Sequence, residues 1–278
     1  MGTPQPKFKN CWSRTKRAAD HLLAFKSEWE RIFTDHCITS VFRYEENSGW
    51  FVVSTSVPPA TLERIRCNTL ALEIGEYAYQ LRAALDGLIW DTITFTQGTE
   101  PAANTNRVEF PIVDGITRKF KDSGFLKFPF PENLKRWLES IQPNAGEKSE
   151  GDPERGIPTA LSDIHDLARL DRHRRLRIVA AVITQLRFGI ASNPQGRIVD
   201  RERIDTFDLF GGQYEFLRFK VETVDQTILR ELTLKTDLAF EVLLEDIRPF
   251  PNMDACSQLG SYIYAVEYII SRFEDAFN

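Results

Sequence analysis

The sequence predicts an α+β protein: long central helices packed as a bundle, an N-terminal β-hairpin, and an antiparallel sheet in the C-terminal half. Three observations carry this. Apolar residues recur at three- and four-residue steps in stretches near the start, in the first third and at the end. Runs rich in β-branched and aromatic residues flank the turn signals Asn47-Ser48-Gly49 and Gly211-Gly212. Strands and helices come in blocks rather than in strict alternation, which separates α+β from a doubly wound α/β fold.

Taken in order, residues 1–10 read as a loose basic leader. Ala18, Leu22, Phe25, Trp29 and Ile32 then mark one face of a helix that begins at Cys11 and ends near His36. Ile38–Tyr44 and Trp50–Val57 form the hairpin. Pro58-Pro59 stops its second strand and opens a helix over Ala60–Thr96. That helix has its main stripe at Leu70, Ile74, Tyr77, Leu81, Leu85 and Leu88. Leu72, Tyr79, Ala83 and Trp90 fall on the other side, so it is expected to be buried nearly all round. Val108–Val113 is a candidate edge strand because it contains Pro111. Short helices follow at Thr117–Asp122 and Pro131–Ile141.

The Pro/Gly-rich segment Asn144–Pro158 reads as a mobile loop. Strands are expected at Arg177–Ile190, Thr206–Phe210, Tyr214–Val221 and Thr227–Glu241. Leu259, Ile263, Val266, Ile270, Phe273 and Phe277 give a C-terminal helix. The whole reads as one domain, with a subdivision between 1–175, mainly helical, and 176–278.

Composition excludes several classes of protein. A net charge of −5 is not that of a polycationic nucleic-acid binder, although a local basic face is compatible with it. The four cysteines, Cys11, Cys37, Cys67 and Cys256, are widely spaced and read as idle thiols, with disulfides or metal as the minority alternative. No signal-like leader and no run of about 18 apolar residues is present, so a cytoplasmic protein with no membrane partner is expected. No phosphate-binding glycine loop, nucleophile elbow or zinc-protease helix occurs, and no cofactor is implied.

The chemistry-bearing stretch is Leu161–Arg177, with His165, His173, five arginines and three aspartates. On a helical wheel Leu161, Ile164, Leu167 and Ala168 cluster together, with Asp171 among them. His165, Arg169 and His173 line the opposite side, next to Asp166 and Arg172. An aspartate facing a core needs a partner. Arg82, the only basic residue between Arg66 and Arg107, is expected to reach Asp171, Asp86 or both. This pairing reads either as a structural lock between helices or as part of a polar site. The outward stripe admits metal binding at His165-Asp166, phosphate binding by Arg169 and Arg172, or simply a solvated face.

Four segments carry a resemblance: Leu81-Arg82-Ala83-Ala84-Leu85-Asp86, Phe110-Pro111-Ile112, Ile141-Gln142-Pro143 and Leu170-Asp171-Arg172-His173-Arg174. In this order they resemble an uncharacterised bacterial family with L-R-S-A-L-D-H-L, F-P-I, Q-P-Y-like and D-K-H-R motifs. The similarity spans about Trp50–Arg177 and implies no particular activity. A more distant similarity is to the HEPN superfamily of helical ribonucleases, whose site pairs an Arg with a His slightly more than a helical turn later. Gly87 occupies that His position here, and Arg169 and His173 stand one residue too close.

The distant HEPN similarity implies RNA or a phosphorylated ligand as partner and a metal-independent, ribonuclease-like activity if the protein is an enzyme. The candidate site is then Arg82, Asp86, Asp171, His173 and Arg174. His173 would transfer the proton, and Arg82 or Arg174 would stabilise the developing charge. The alternative is a non-enzymatic interaction protein, in which Arg82 and Asp171 lock the helices and a homodimer or other partner contact is made.

Overall fold

In the computed structural model the described residues are 8–35, 39–56, 58–66, 68–100, 108–113, 119–145, 149–173, 178–190, 197–203, 213–222, 234–244 and 255–277. The fold is α+β, with antiparallel strands. The chain divides into two compact units that are discontinuous in sequence. One comprises Met1–Lys26, Thr69–Leu176 and Phe250–Asn278; the other comprises Ser27–Asn68 and Arg177–Pro249. Among the described residues no helix is long and apolar enough to cross a membrane.

The first unit is helical. Helix α1 (Lys9–Asp35) starts within the expected leader, because Phe8 is buried edge-on against Phe273. Cys11, Thr15, Ala18 and Phe25 are buried along the part of α1 in this unit, and Trp29 and Ile32 along the part that belongs to the second. The helix expected at Ala60–Thr96 is covered by α2 (Pro59–Arg66), which belongs to the second unit, and α3 (Asn68–Gln97), with Cys67 between them outside the described residues. The stripe Leu70, Ile74, Tyr77, Leu81, Leu85 and Leu88 is fully buried. The opposite side is not: Leu72 is 58% exposed and Tyr79 46%. The expectation of burial all round is corrected, because apolar side chains on two faces do not by themselves bring a neighbour to each.

Two 3-10 turns, Phe120–Asp122 and Gly124–Lys127, seat Phe120 and Phe125. Phe125 packs edge-on against Phe130, which meets Phe273 of α6 (Ala255–Ala276). Helix α4 (Glu132–Ser140) buries Leu134 and Leu138. Residues 149–156 form turns in which Glu154 accepts from Trp137 Nε1 and Tyr268 Oη. Helix α5 (Ile157–His173) takes in the last two residues of the expected loop. Leu161, Ile164, Leu167 and Ala168 are buried as the wheel requires. Buried polar bonds tie the helices together. Tyr77 Oη donates to Leu259 O, Tyr262 Oη donates to Asp163, and Gln258 Nε2 donates to Tyr262 Oη at 2.7 Å.

The second unit holds two sheets. Strands β1 (Thr39–Glu45) and β2 (Trp50–Ser56) form the expected hairpin, closed by Gly49 at φ +69° with its N–H on Glu45 O. A positive φ suits glycine, which has no Cβ to clash. The hairpin is not separate from the C-terminal strands. The order is β1-β2-β5-β4, with β4 at Arg197–Arg203, which the sequence reading missed, and β5 at Gln213–Glu222. Phe51, Val52 and Val53 are all buried, as suits an inner strand, and Phe51 stacks on Phe219 at 5.2 Å. Strands β3 (Ile178–Ile190) and β6 (Leu234–Leu244) form the second, two-stranded sheet. The expected strand Thr206–Phe210 and the Gly211-Gly212 turn lie outside the described residues.

Candidate functional site

Arg82 is 5% exposed, and α3 aims it at a segment with no secondary structure of its own. Its Nε reaches Asp86 Oδ2 at 3.2 Å and its Nη2 reaches Asp86 Oδ1 at 2.9 Å, a two-pronged fork across one helical turn. Nη2 also donates to Phe110 O at 3.1 Å and lies 3.7 Å from Glu109 Oε2. Asp86 Oδ1 in turn accepts from Phe110 N at 2.9 Å. One residue of the Phe-Pro-Ile segment therefore has both its backbone groups satisfied by side chains of α3.

Three residues on, Val113 N donates to Gln142 Oε1 at 3.1 Å, while Gln142 Nε2 donates to Leu138 O. Residues 108–113 are thus not the expected edge strand; side chains do the work of a neighbouring strand, and Pro111 needs no donor. Side chains of Arg82, Asp86 and Gln142 thus hold the backbone of this segment at Phe110 and Val113.

Burial pushes the Asp86 carboxyl upward, opposed by the Arg82 charge and by the Phe110 N–H. Ion-pair geometry and pKa direction pull against each other here. The fork and the backbone donor favour the ionised form of Asp86 against that burial.

Beside this network lies a cleft of about 490 Å³. Tyr79, Arg82, Asp86, Gly87, Trp90 and Asp91 of α3 line it, and Val108 adds an apolar contact. Cys11 and Arg14 of α1 complete it. Arg14 Nη1 donates to Gln80 Oε1 at 3.2 Å, and no carboxylate pairs with Arg14 among the described residues. Arg82 Nη1 is buried and has no hydrogen-bond partner among the described residues. Among the described residues the one hydrogen bond to Asp91 comes from the Cys11 thiol, at 3.9 Å. Burial raises the Asp91 pKa, with the Cys11 bond opposing; burial and then the Asp91 charge push the Cys11 thiol up to about 12. The protonated thiol is a poor nucleophile.

His165 and Arg169 are exposed, as expected for the outward stripe, and Arg169 lies 3.5 Å from Asp166. His165 is nevertheless not remote from Arg82. Although much of its surface is open, enough protein surrounds it that burial is the first cause lowering its pKa. The Arg82 charge is the second; Asp166 and Glu109 act in the opposite sense. The separation of an inward site from an outward stripe is therefore incomplete, because Arg82 acts on both.

The side chains of Asp171, Arg172 and His173 lie outside the described residues, although all three close α5. Arg174 lies outside them altogether. Of the expected site residues, Arg82 and Asp86 are thus brought together. Among the described residues no three His, Cys, Asp or Glu side chains assemble as a metal site.

Sequence reasoning missed Arg14, Tyr79, Trp90 and Asp91 as one group. The available signal was the α3 spacing Tyr79, Ala83, Asp86, Trp90, which places polar and aromatic residues on a single face.

Fold and site together define an α+β protein with a charged, aromatic-flanked cleft on its helical unit. Comparison with protein-family models, curated proteins and solved structures gives no match.

Proposed function

We propose that the chain binds an oxyanionic ligand, a phosphorylated small molecule or an RNA backbone, in the cleft beside α3, with the Arg82–Asp86–Phe110 network as its fixed floor. The observation that carries this is Arg14, a cation with no carboxylate partner among the described residues, in a cleft that Arg82 also lines. Guanidinium groups match the geometry of phosphate oxygens, so an anion entering here gains directed bonds as well as charge. A cytoplasmic setting belongs to the same proposal.

If RNA is cut as well as bound, His173 is the proton-transfer group to test, with Arg82 or Arg174 stabilising the charge that develops. Labelled RNA, with and without chelator, is incubated with the parent chain, Arg14→Glu and His173→Ala. Binding should fall at least tenfold in Arg14→Glu, since one phosphate contact is replaced by repulsion. Equal binding by parent and Arg14→Glu removes the proposal, and equal cleavage traces for parent and His173→Ala remove the nuclease step.

A second reading, a non-enzymatic interaction module, is favoured by the way Arg82 spends its Nε and Nη2 on Asp86 and Phe110. In that reading Leu72 and Tyr79, exposed on α3, meet a second copy of the chain. A sedimentation-equilibrium mass of one chain at tens of micromolar would remove it.

A further inference from the structure

We infer that the ligand is a guanine nucleotide laid along α3, with its base at the Trp90–Asp91 end of the cleft and its phosphate at the Arg14 end. This rests on the reading that the cleft binds an oxyanion, and it goes beyond it by assigning the other end of the ligand.

The cleft's charges are separated along the helix. Arg14 is held at the level of Gln80, whereas Asp91 lies eleven residues further on. At 1.5 Å per residue the two ends stand on the order of 15 Å apart along the axis. A lone phosphate spans only one of them. A nucleoside 5′-phosphate has an anion at one end, a planar ring at the other, and the length to engage both. Its size suits a cleft of about 490 Å³, which falls within the range of small-molecule sites.

The far end is built for a flat ring bearing N–H donors. Trp90 lines the cleft there with aromatic surface, on which any nucleobase can stack. Asp91, the next residue after Trp90, is a carboxylate taken partly out of water whose one partner among the described residues is a thiol at 3.9 Å, a weak donor. Two acceptor oxygens in that setting call for two parallel donors. The Watson–Crick edge of guanine supplies them, as its ring N–H and its exocyclic amino group. Adenine presents one amino group beside a ring nitrogen that is itself an acceptor, so it makes one bond and one repulsive contact. At the near end the phosphate meets Arg14, with Arg82 in the cleft wall beside it.

The test is calorimetric titration of the full chain with GMP, AMP, guanosine, inorganic phosphate and a guanine-containing hexaribonucleotide. GMP should bind at least tenfold more tightly than AMP, the discrimination expected of a paired carboxylate edge. Guanosine and phosphate should each bind more weakly than GMP. Asp91→Asn should bring GMP and AMP to within about threefold of each other, and Trp90→Ala should weaken both nucleotides alike. Far-UV spectra establish that each variant folds, and the GMP/AMP ratio on the parent chain stands without them. Equal affinity for GMP and AMP overturns the guanine assignment while leaving the oxyanion reading in place. Binding of the hexaribonucleotide with none of GMP does the same. Absence of binding by all five overturns both.

Discussion

Replacing Arg82 with Leu tests the network on which the cleft rests. The guanidinium is nearly sealed from solvent and satisfies two carboxylate oxygens and one backbone carbonyl. Its loss leaves Phe110 O without its side-chain donor, at about 1–3 kcal/mol. It also leaves Asp86 with the Phe110 N–H alone, and removing one partner of a buried pair costs about 3–5 kcal/mol. Two offsets reduce the sum. The Asp86 side chain is 35% exposed, so water screens part of the orphaned charge. The parent already carries the unsatisfied Nη1, whose burial the leucine relieves. A net loss of about 2–4 kcal/mol follows. Urea denaturation measures it as a lower midpoint at unchanged slope. The double variant Arg82→Leu/Asp86→Leu should recover about 1–2 kcal/mol of the loss, because no lone carboxylate then remains. A single variant within about 0.5 kcal/mol of the parent would refute the reasoning, because it would mean that the fork and the Phe110 bond contribute nothing net.

Further outcomes are expected elsewhere. Asp163 has its pKa raised, by burial above all, against the hydrogen bond from Tyr262. A raised carboxyl stabilises the fold below the ordinary aspartate range, and that contribution is lost as pH rises through the folded-state value. Stability should therefore fall on raising the pH from about 4, and Asp163→Asn should flatten that slope in urea titrations; an unchanged slope counts against it. Gly87→Ala should stabilise by about 0.5–1 kcal/mol, because the added Cβ meets only Cys11 Sγ at an ordinary 3.5 Å and glycine is costly inside a helix. A lower melting point for Gly87→Ala would show that the site tolerates no side chain. Cys11, with its thiol pushed up to about 12, should resist alkylation at pH 8 in the native chain and react once urea unfolds it. Mass spectrometry of the Cys11 peptide reads the difference, and rapid native labelling would contradict it.

Periodicity was legible wherever one partner surface dominates. The α1 seam, the inner stripe of α3, the α5 wheel and the α6 stripe all follow from apolar spacing, because burial on one side is a local property of a helix. What failed depended on contacts remote in the chain. Phe110–Val113 looks like a strand because its residues suit extended backbone, yet its hydrogen-bond partners are Asp86, Arg82 and Gln142, which no local pattern announces. Strand β4, Arg197–Arg203, is nearly all polar and so carries no alternation to detect. Arg82 was legible as a lone cation in an apolar helix, and Asp86 as its partner one turn away. Phe110 and Arg14 were not, because the first acts through its backbone and the second reaches the site from another helix.

The placement of β2 between β1 and β5 also bears on how the chain comes off the ribosome. Phe51, Val52 and Val53 are made early, yet the strand that covers their open edge carries Phe219. At ordinary rates of synthesis the interval between Phe51 and Phe219 is on the order of ten to thirty seconds. Throughout it the hairpin presents an unpaired apolar edge, a ready template for pairing with another nascent chain. Loop closure over such a distance makes the final pairing slow as well as late.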